Sequence, residues 1–195
     1  IVSPPETGFL FPAFDDRSTN IYSALYYSRD IGDISQELVD TLFRVDPLMP
    51  AAEQKENFRS ILGETLEDDC KFEVVQAVRD QMCGLIEEHK ASKTPEPLTL
   101  SKGAMKSVLR GCGVAARHVD AFDRRYDETF GADAALAPRN VVDTNVVEVK
   151  TPDVTIKVNP QRADLVETRI IDGGKYILIR AEDGVEVNGV PVRIE

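Results

Sequence analysis

The chain has 195 residues, 42% of them hydrophobic and 29% charged, with a formal net charge of −11. That length supports one or two domains with a buried core, and the acidic balance disfavours a surface that tracks nucleic-acid phosphates, which needs clustered Lys and Arg. No apolar run approaches the roughly 18–20 residues of a membrane span, and Cys70, Cys83 and Cys112, with no close pair among them, argue against a disulfide framework or zinc knuckle and suit a reducing cytosol.

The charge is uneven. Residues 1–70 carry 14 acidic against 5 basic residues, 71–140 carry 10 against 11, and 141–195 carry 10 against 7. Such an acidic first third is most simply a solubility feature.

In chain order, Gly8-Phe9-Leu10-Phe11-Pro12-Ala13-Phe14 reads as a short strand, with Pro12 placing it at a strand end or sheet edge because it cannot donate to a ladder. Ile21 to Tyr27 reads as a second strand, and the polar block Asp15 to Asn20 between them makes the pair a hairpin. This density of aromatics so close to Ile1 leads to the expectation that sequence precedes the chain and that the hairpin is the remnant of a larger sheet. Ser35 then caps a helix with the stripe Leu38, Val39, Leu42 and Phe43, ended before Pro47, and Pro47 to Pro50 punctuates the chain.

The middle is helical. Residues 51–62 put Phe58, Ile61 and Leu62 on one side, with Gly63 as the expected stop. Residues 71–90 show the strongest pattern, Val74, Val75, Val78, Met82, Leu85, Ile86 and His89 recurring at three-and-four spacing behind Asp68-Asp69. Residues 91–97 form a linker. Ser101 caps the next helix, carrying Met105, Val108 and Leu109; Gly111-Cys112-Gly113 breaks it, and residues 115–130 form its partner with Val119, Phe122, Tyr126 and Phe130.

From about Asn140 the period changes from 3.6 to 2. Val154, Ile156 and Val158 alternate with polar residues, Val166 to Ile171 runs through Asp172-Gly173-Gly174 into Tyr176 to Ile179, and Val185 to Val187 turns at Asn188-Gly189 into Val190 to Val192. Five strands in this stretch predict a small antiparallel barrel or sandwich. The fold class is therefore α+β, in three parts: residues 1–46 as the end of an α/β domain, 47–138 as a helical segment with a helix-turn-helix-like pair at 101–130, and 139–195 as a small antiparallel β-domain.

Few constellations carry chemistry. Asp15-Asp16-Arg17 with Asn20 could hold a divalent metal or phosphate if the carboxylates converged beside the guanidinium, but in a turn these residue types mainly serve local hydrogen bonds. Lys102, Lys106 and Arg110 make a basic stripe, the best nucleic-acid candidate, although the second helix of the pair mixes Arg117, His118, Arg124 and Arg125 with Asp120, Asp123, Asp127 and Glu128. His89 and His118 stand in no metal-binding pattern, and His89, in a last turn, fits the capping of carbonyls. No phosphate loop, dinucleotide fingerprint or nucleophile motif occurs, so no cofactor and no metal are expected.

Three groups of segments together carry a resemblance: Gly8 to Tyr22, Glu73-Val74-Val75-Gln76-Ala77-Val78, and Thr151 to Pro160 with Glu167-Thr168-Arg169 and Lys175-Tyr176-Ile177. They resemble the bacterial family catalogued as domain of unknown function 4317, over essentially the whole chain, corresponding to the C-terminal half of the family's longer proteins. The resemblance implies a bacterial, cytoplasmic setting and carries over no activity, cofactor or catalytic residue.

The leading expectation is a non-catalytic binding or assembly module, with an unknown protein partner or self-association through the apolar N-terminal hairpin, no membrane association, and nucleic acid disfavoured. The alternatives are a hydrolytic or phosphate-handling enzyme whose site is shared between a missing N-terminal half and the Asp15-Asp16-Arg17 turn, and a nucleic-acid-associated protein.

Overall fold

In the computed structural model, residues 3–15, 18–30, 35–44, 49–182 and 184–193 are described. The N-terminal segment folds back on itself in two steps. β1 (Thr7–Leu10), β2 (Ala13–Asp15), β3 (Ser18–Asn20) and β4 (Leu25–Ser28) form nested antiparallel pairs, β1 with β4 and β2 with β3. Pro12 falls between the two ladders, where a missing N–H costs no strand bond. The expected second strand starts later than its apolar run. Asn20 Oδ1 accepts a hydrogen bond from Tyr22 N at 2.9 Å, and this local bond turns the chain at Ile21 and Tyr22 instead of extending it.

α1 (Gln36–Phe43) follows, closed by Arg44 in the left-handed region at φ 54. Its Phe43 meets Phe9 edge to face at 5.6 Å, so the helix covers one face of the hairpin. Pro47 and Leu48 lie outside the described residues.

α2 (Ala51–Leu66) does not stop at Gly63. Thr65 and Leu66, beyond that glycine, are buried with Ile61 and Leu62, and burying one more turn outweighs the roughly 1 kcal/mol penalty of an interior glycine. A 3₁₀ turn at Glu67–Asp69 leads into α3 (Phe72–Ser92), which matches the predicted stripe. β5 (Leu100–Ser101) then leads into α4 (Lys102–Gly111), whose Ser101 hydroxyl accepts from Ala104 N as the cap requires. α4 ends where its glycines predict. Gly113, at φ 81, donates to Arg110 O while Val114 N reaches back to Leu109 O, the paired bonds of a Schellman stop.

α5 (Ala116–Phe130), β6 (Ala135–Leu136) and the short α6 (Pro138–Val141) complete the helical part. β6 pairs with β5, closing the α4–α5 hairpin at its open end. Neither two-residue strand nor the four-residue helix shows in the sequence, because each is shorter than the period that would reveal it. The core lies among these helices. Phe122 is fully buried between Phe58, at 6.2 Å, and Tyr126, at 5.7 Å, and Tyr126 satisfies its phenol by donating to Ala134 O at 3.0 Å.

The rest is strand-rich: β7 (Val147–Lys150), β8 (Thr155–Val158), a 3₁₀ segment at Pro160–Leu165, β9 (Val166–Ile171), β10 (Gly174–Ile179), β11 (Val185–Val187) and β12 (Val190–Val192). Both tight turns are as their residues predict. Asp172 and Gly173 (φ 49 and 80), and Asn188 and Gly189 (φ 51 and 78), all take the positive φ that a type I′ hairpin turn demands. The barrel or sandwich expected here does not close. Among the described residues these strands pair only within three separate hairpins, and β10 to β12 leave Tyr176, Ile179, Val187 and Val190 about half exposed where a closed barrel would bury them. The chain is thus an α+β protein with an open, strand-rich C-terminal region.

Candidate functional site

α2 and α3 offer apolar side chains to the β7–β8 hairpin, but the three do not pack flush. Between them runs an open cleft of about 750 Å³. Phe58 and Leu62 from α2, Val78 from α3, Val141 from α6 and Val147 from β7 line it, all of them buried. Arg59, Lys71, Arg79, Lys150 and Lys157 also line it, against two acids, Asp143 and Glu148. In a chain of net charge −11, the cleft inverts the local sign.

Arg79 is the polar group most committed to this site. Helical spacing sets it four residues after Val75, on the stripe that faces the cleft. Its Nε donates to Asp143 O at 3.1 Å and its Nη1 to Asp80 Oδ1 at 3.0 Å. Nη2 is buried and has no hydrogen-bond partner among the described residues. A guanidinium carries five N–H donors in a fixed fork, so two of its nitrogens pin the α6–β7 loop and the first turns of α3 while the third stands unmet. Asp143 is braced in turn: its Oδ1 accepts from Asn145 N at 2.9 Å, a bond that holds the carboxyl below its usual range, and Lys55 Nζ lies 3.8 Å from Oδ2. The pair of Lys157 with Glu148, at 3.9 Å and largely exposed, contributes little.

Of the nucleophile and acid–base candidates, exposed Cys70 lines the cleft, and the others lie elsewhere. Burial pushes the Cys83 and Cys112 thiols up, which keeps them protonated and unreactive at neutral pH. His118 is buried where α5 crosses α2, its Nδ1 2.8 Å from Thr65 O. Arg117 Nε lies 3.1 Å from His118 Nε2, with Asp69 Oδ2 at 3.6 Å from the same nitrogen, and the ring's contact with Thr65 O fastens α5 to α2. His89 Nε2 meets Glu96 O at 2.8 Å, so the ring ties the end of α3 to its following loop. Asp69, expected to favour the start of α3, also accepts from Ala115 N at 3.1 Å, tying the residue ahead of α5 to the turn before α3.

Of the described residues singled out from sequence, Asp15, Asn20, Lys102, Lys106 and Arg110 do not line the cleft. Asp15 ends β2 opposite Ser18, Asn20 is 7% exposed and holds the Tyr22 turn, and Asp16 and Arg17 lie outside the described residues. On α4, Lys102 Nζ sits 2.6 Å from Asp127 and 3.4 Å from Asp123, and Lys106 Nζ sits 3.0 Å from Asp123. The hydrogen bond to Asp127 holds Lys102 above the ordinary lysine value, and that from Lys106 holds Asp123 below the ordinary carboxylate value. The basic stripe is a seam between two helices, with Arg110 left exposed at its end. Sequence reasoning missed Arg79, although one signal was there: a guanidinium on the apolar stripe of the strongest helix.

Among the described residues no group of three or more His, Cys, Asp and Glu side chains could hold a metal ion, and no helix is long and apolar enough to cross a membrane. Fold and cleft together define an α+β protein with an apolar-floored, basic-rimmed cleft. The chain belongs to the family described as Domain of unknown function (DUF4317), whose model matches residues 1–190. No match was found among the curated proteins or the solved structures.

Proposed function

We propose that this protein is a non-catalytic binding module of the bacterial cytoplasm whose cleft holds an amphipathic anion: an apolar body with a carboxylate- or phosphate-type head. One observation carries the reading, the buried Nη2 of Arg79 without a hydrogen-bond partner in the wall of an apolar cleft. An unmet buried donor costs roughly 1–3 kcal/mol, and an oxyanion that shifts the side chains covering Nη2 reaches it and removes that cost with a charge-assisted bond. Arg59, Lys71, Lys150 and Lys157 favour the anion's approach, while Phe58, Leu62 and Val78 supply the surface on which its hydrocarbon is buried. The bacterial setting rests on the family resemblance, and three free cysteines favour a reducing compartment.

Calorimetric titration with decanoate, decyl phosphate and decanol tests this. The anions are expected to bind at least about tenfold more tightly than the alcohol, and Arg79→Met to remove that preference, since one such bond is worth about 1.4 kcal/mol or more. Equal binding of decanol, or anion binding indifferent to Arg79→Met, rejects the proposal.

A further inference from the structure

The N-terminal hairpin exposes apolar surface at unusual density. Eight of its large apolar side chains, between Phe9 and Tyr27, are 48–91% exposed. Counting roughly 200 Å² for each such side chain when fully exposed, they present roughly 1,000 Å² to solvent, of the same order as the ~800 Å² per partner of a stable interface.

The edges of this sheet are not equivalent. β1 is flanked by Pro5 and Pro12, whereas Ser18 to Ser28, which contains β4, holds no charged residue and no proline. Other strands with exposed apolar side chains carry guards against edge pairing: Glu167 and Arg169 in β9, Lys175 in β10, Pro191 in β12. β4 pairs only with β1 among the described residues, and a two-stranded sheet is marginal by itself.

We infer that β4 is a self-association edge, through which two copies of this chain pair antiparallel about a two-fold axis. A second copy is the occupant the geometry favours, because a two-fold operation makes any strand its own antiparallel partner. The register follows from the pleat. Side chains alternate between faces, so only a pairing centred on a residue keeps like faces together. Centring on Tyr26 sets Leu25 opposite Tyr27 of the partner subunit and extends the outer face, where Leu10 and Leu25 already pair. The result is a four-stranded sheet, with the neutral stretch allowing two chains of net charge −11 to meet.

Sedimentation velocity on the full chain, from about 1 to about 100 μM, tests this over the range where such a patch associates. A dimer is expected, tightening with added NaCl because salt screens the repulsion between acidic copies. Tyr27→Lys should weaken it at least about tenfold, while Ile170→Lys, on exposed β9, should leave it unchanged. Every residue of the main core cluster lies at Phe58 or later, so the helical circular-dichroism signal should survive; Leu25→Lys is the second variant if Tyr27→Lys loses it. A monomer throughout overturns the inference, whether the face is bare or serves another protein. A dimer indifferent to both lysines also overturns it.

Discussion

Replacing Arg79 by Met is expected to leave the free protein nearly as stable as before while weakening anion binding, an opposition of signs that few substitutions produce. The change removes the Nε bond to Asp143 O, worth about 1–2 kcal/mol, and a pair with Asp80, which is 57% exposed and worth at most about 1 kcal/mol. It also relieves the buried, unmet Nη2, which costs roughly 1–3 kcal/mol, and Met keeps an unbranched apolar stem one helical turn from Val75. These effects nearly cancel, leaving a net change within about 1 kcal/mol. Urea unfolding followed by circular dichroism reads it directly, because the chain has no Trp. At a ligand concentration one hundred times its Kd, the parent protein gains about 2.7 kcal/mol, and a tenfold weaker variant about 1.4 kcal/mol. A loss of about 3 kcal/mol or more in the free protein refutes the reasoning, since it would mean that all three guanidinium nitrogens are bonded in the fold.

Other perturbations separate the core from its turns and charges. Phe122→Ala is expected to cost about 3–5 kcal/mol in urea unfolding, because a fully buried ring between Phe58 and Tyr126 leaves a cavity; a cost below about 1.5 kcal/mol would place the core elsewhere. Gly113→Ala should cost about 1–2 kcal/mol through φ 81 alone, no heavy atom lying within 4 Å of the added Cβ, and a neutral result would contradict the Schellman stop. Acid should destabilise through Asp123 and Asp143, whose carboxyls are held low by Lys106 and by Asn145 N respectively. Their folded values lie below the unfolded ones, so the unfolded chain binds more protons as pH falls; the stability they contribute is present above about pH 4 and lost below it. Asp123→Asn should flatten that acid limb in urea midpoints between pH 7 and pH 3, and an unchanged limb would remove the Lys102–Lys106–Asp123 seam from the account.

Local chemistry decided much of this fold in advance. Asn188-Gly189 and Asp172-Gly173 needed no tertiary context to take positive φ, since the type I′ turn is itself a property of those residues. Ser101 caps α4 and Gly113 ends it for equally local reasons, and the α3 stripe is long enough for its period to be unmistakable. Gly63 shows where local reasoning fails, its breaking tendency being small beside the burial of Thr65 and Leu66 beyond it.

The α+β class, the helical middle, the N-terminal hairpin and the C-terminal hairpins with their turns were determined by the sequence itself, because caps, turns and hydrophobic periods act over a few residues. The cleft, the pairing of Lys102 with Asp127, and the tie from Arg79 to Asp143, 64 positions away, were decided only by tertiary structure. Their physical reason is common to all three. Which charges find partners, and which donor is left unmet, depends on helix crossings that no period of 2 or 3.6 encodes.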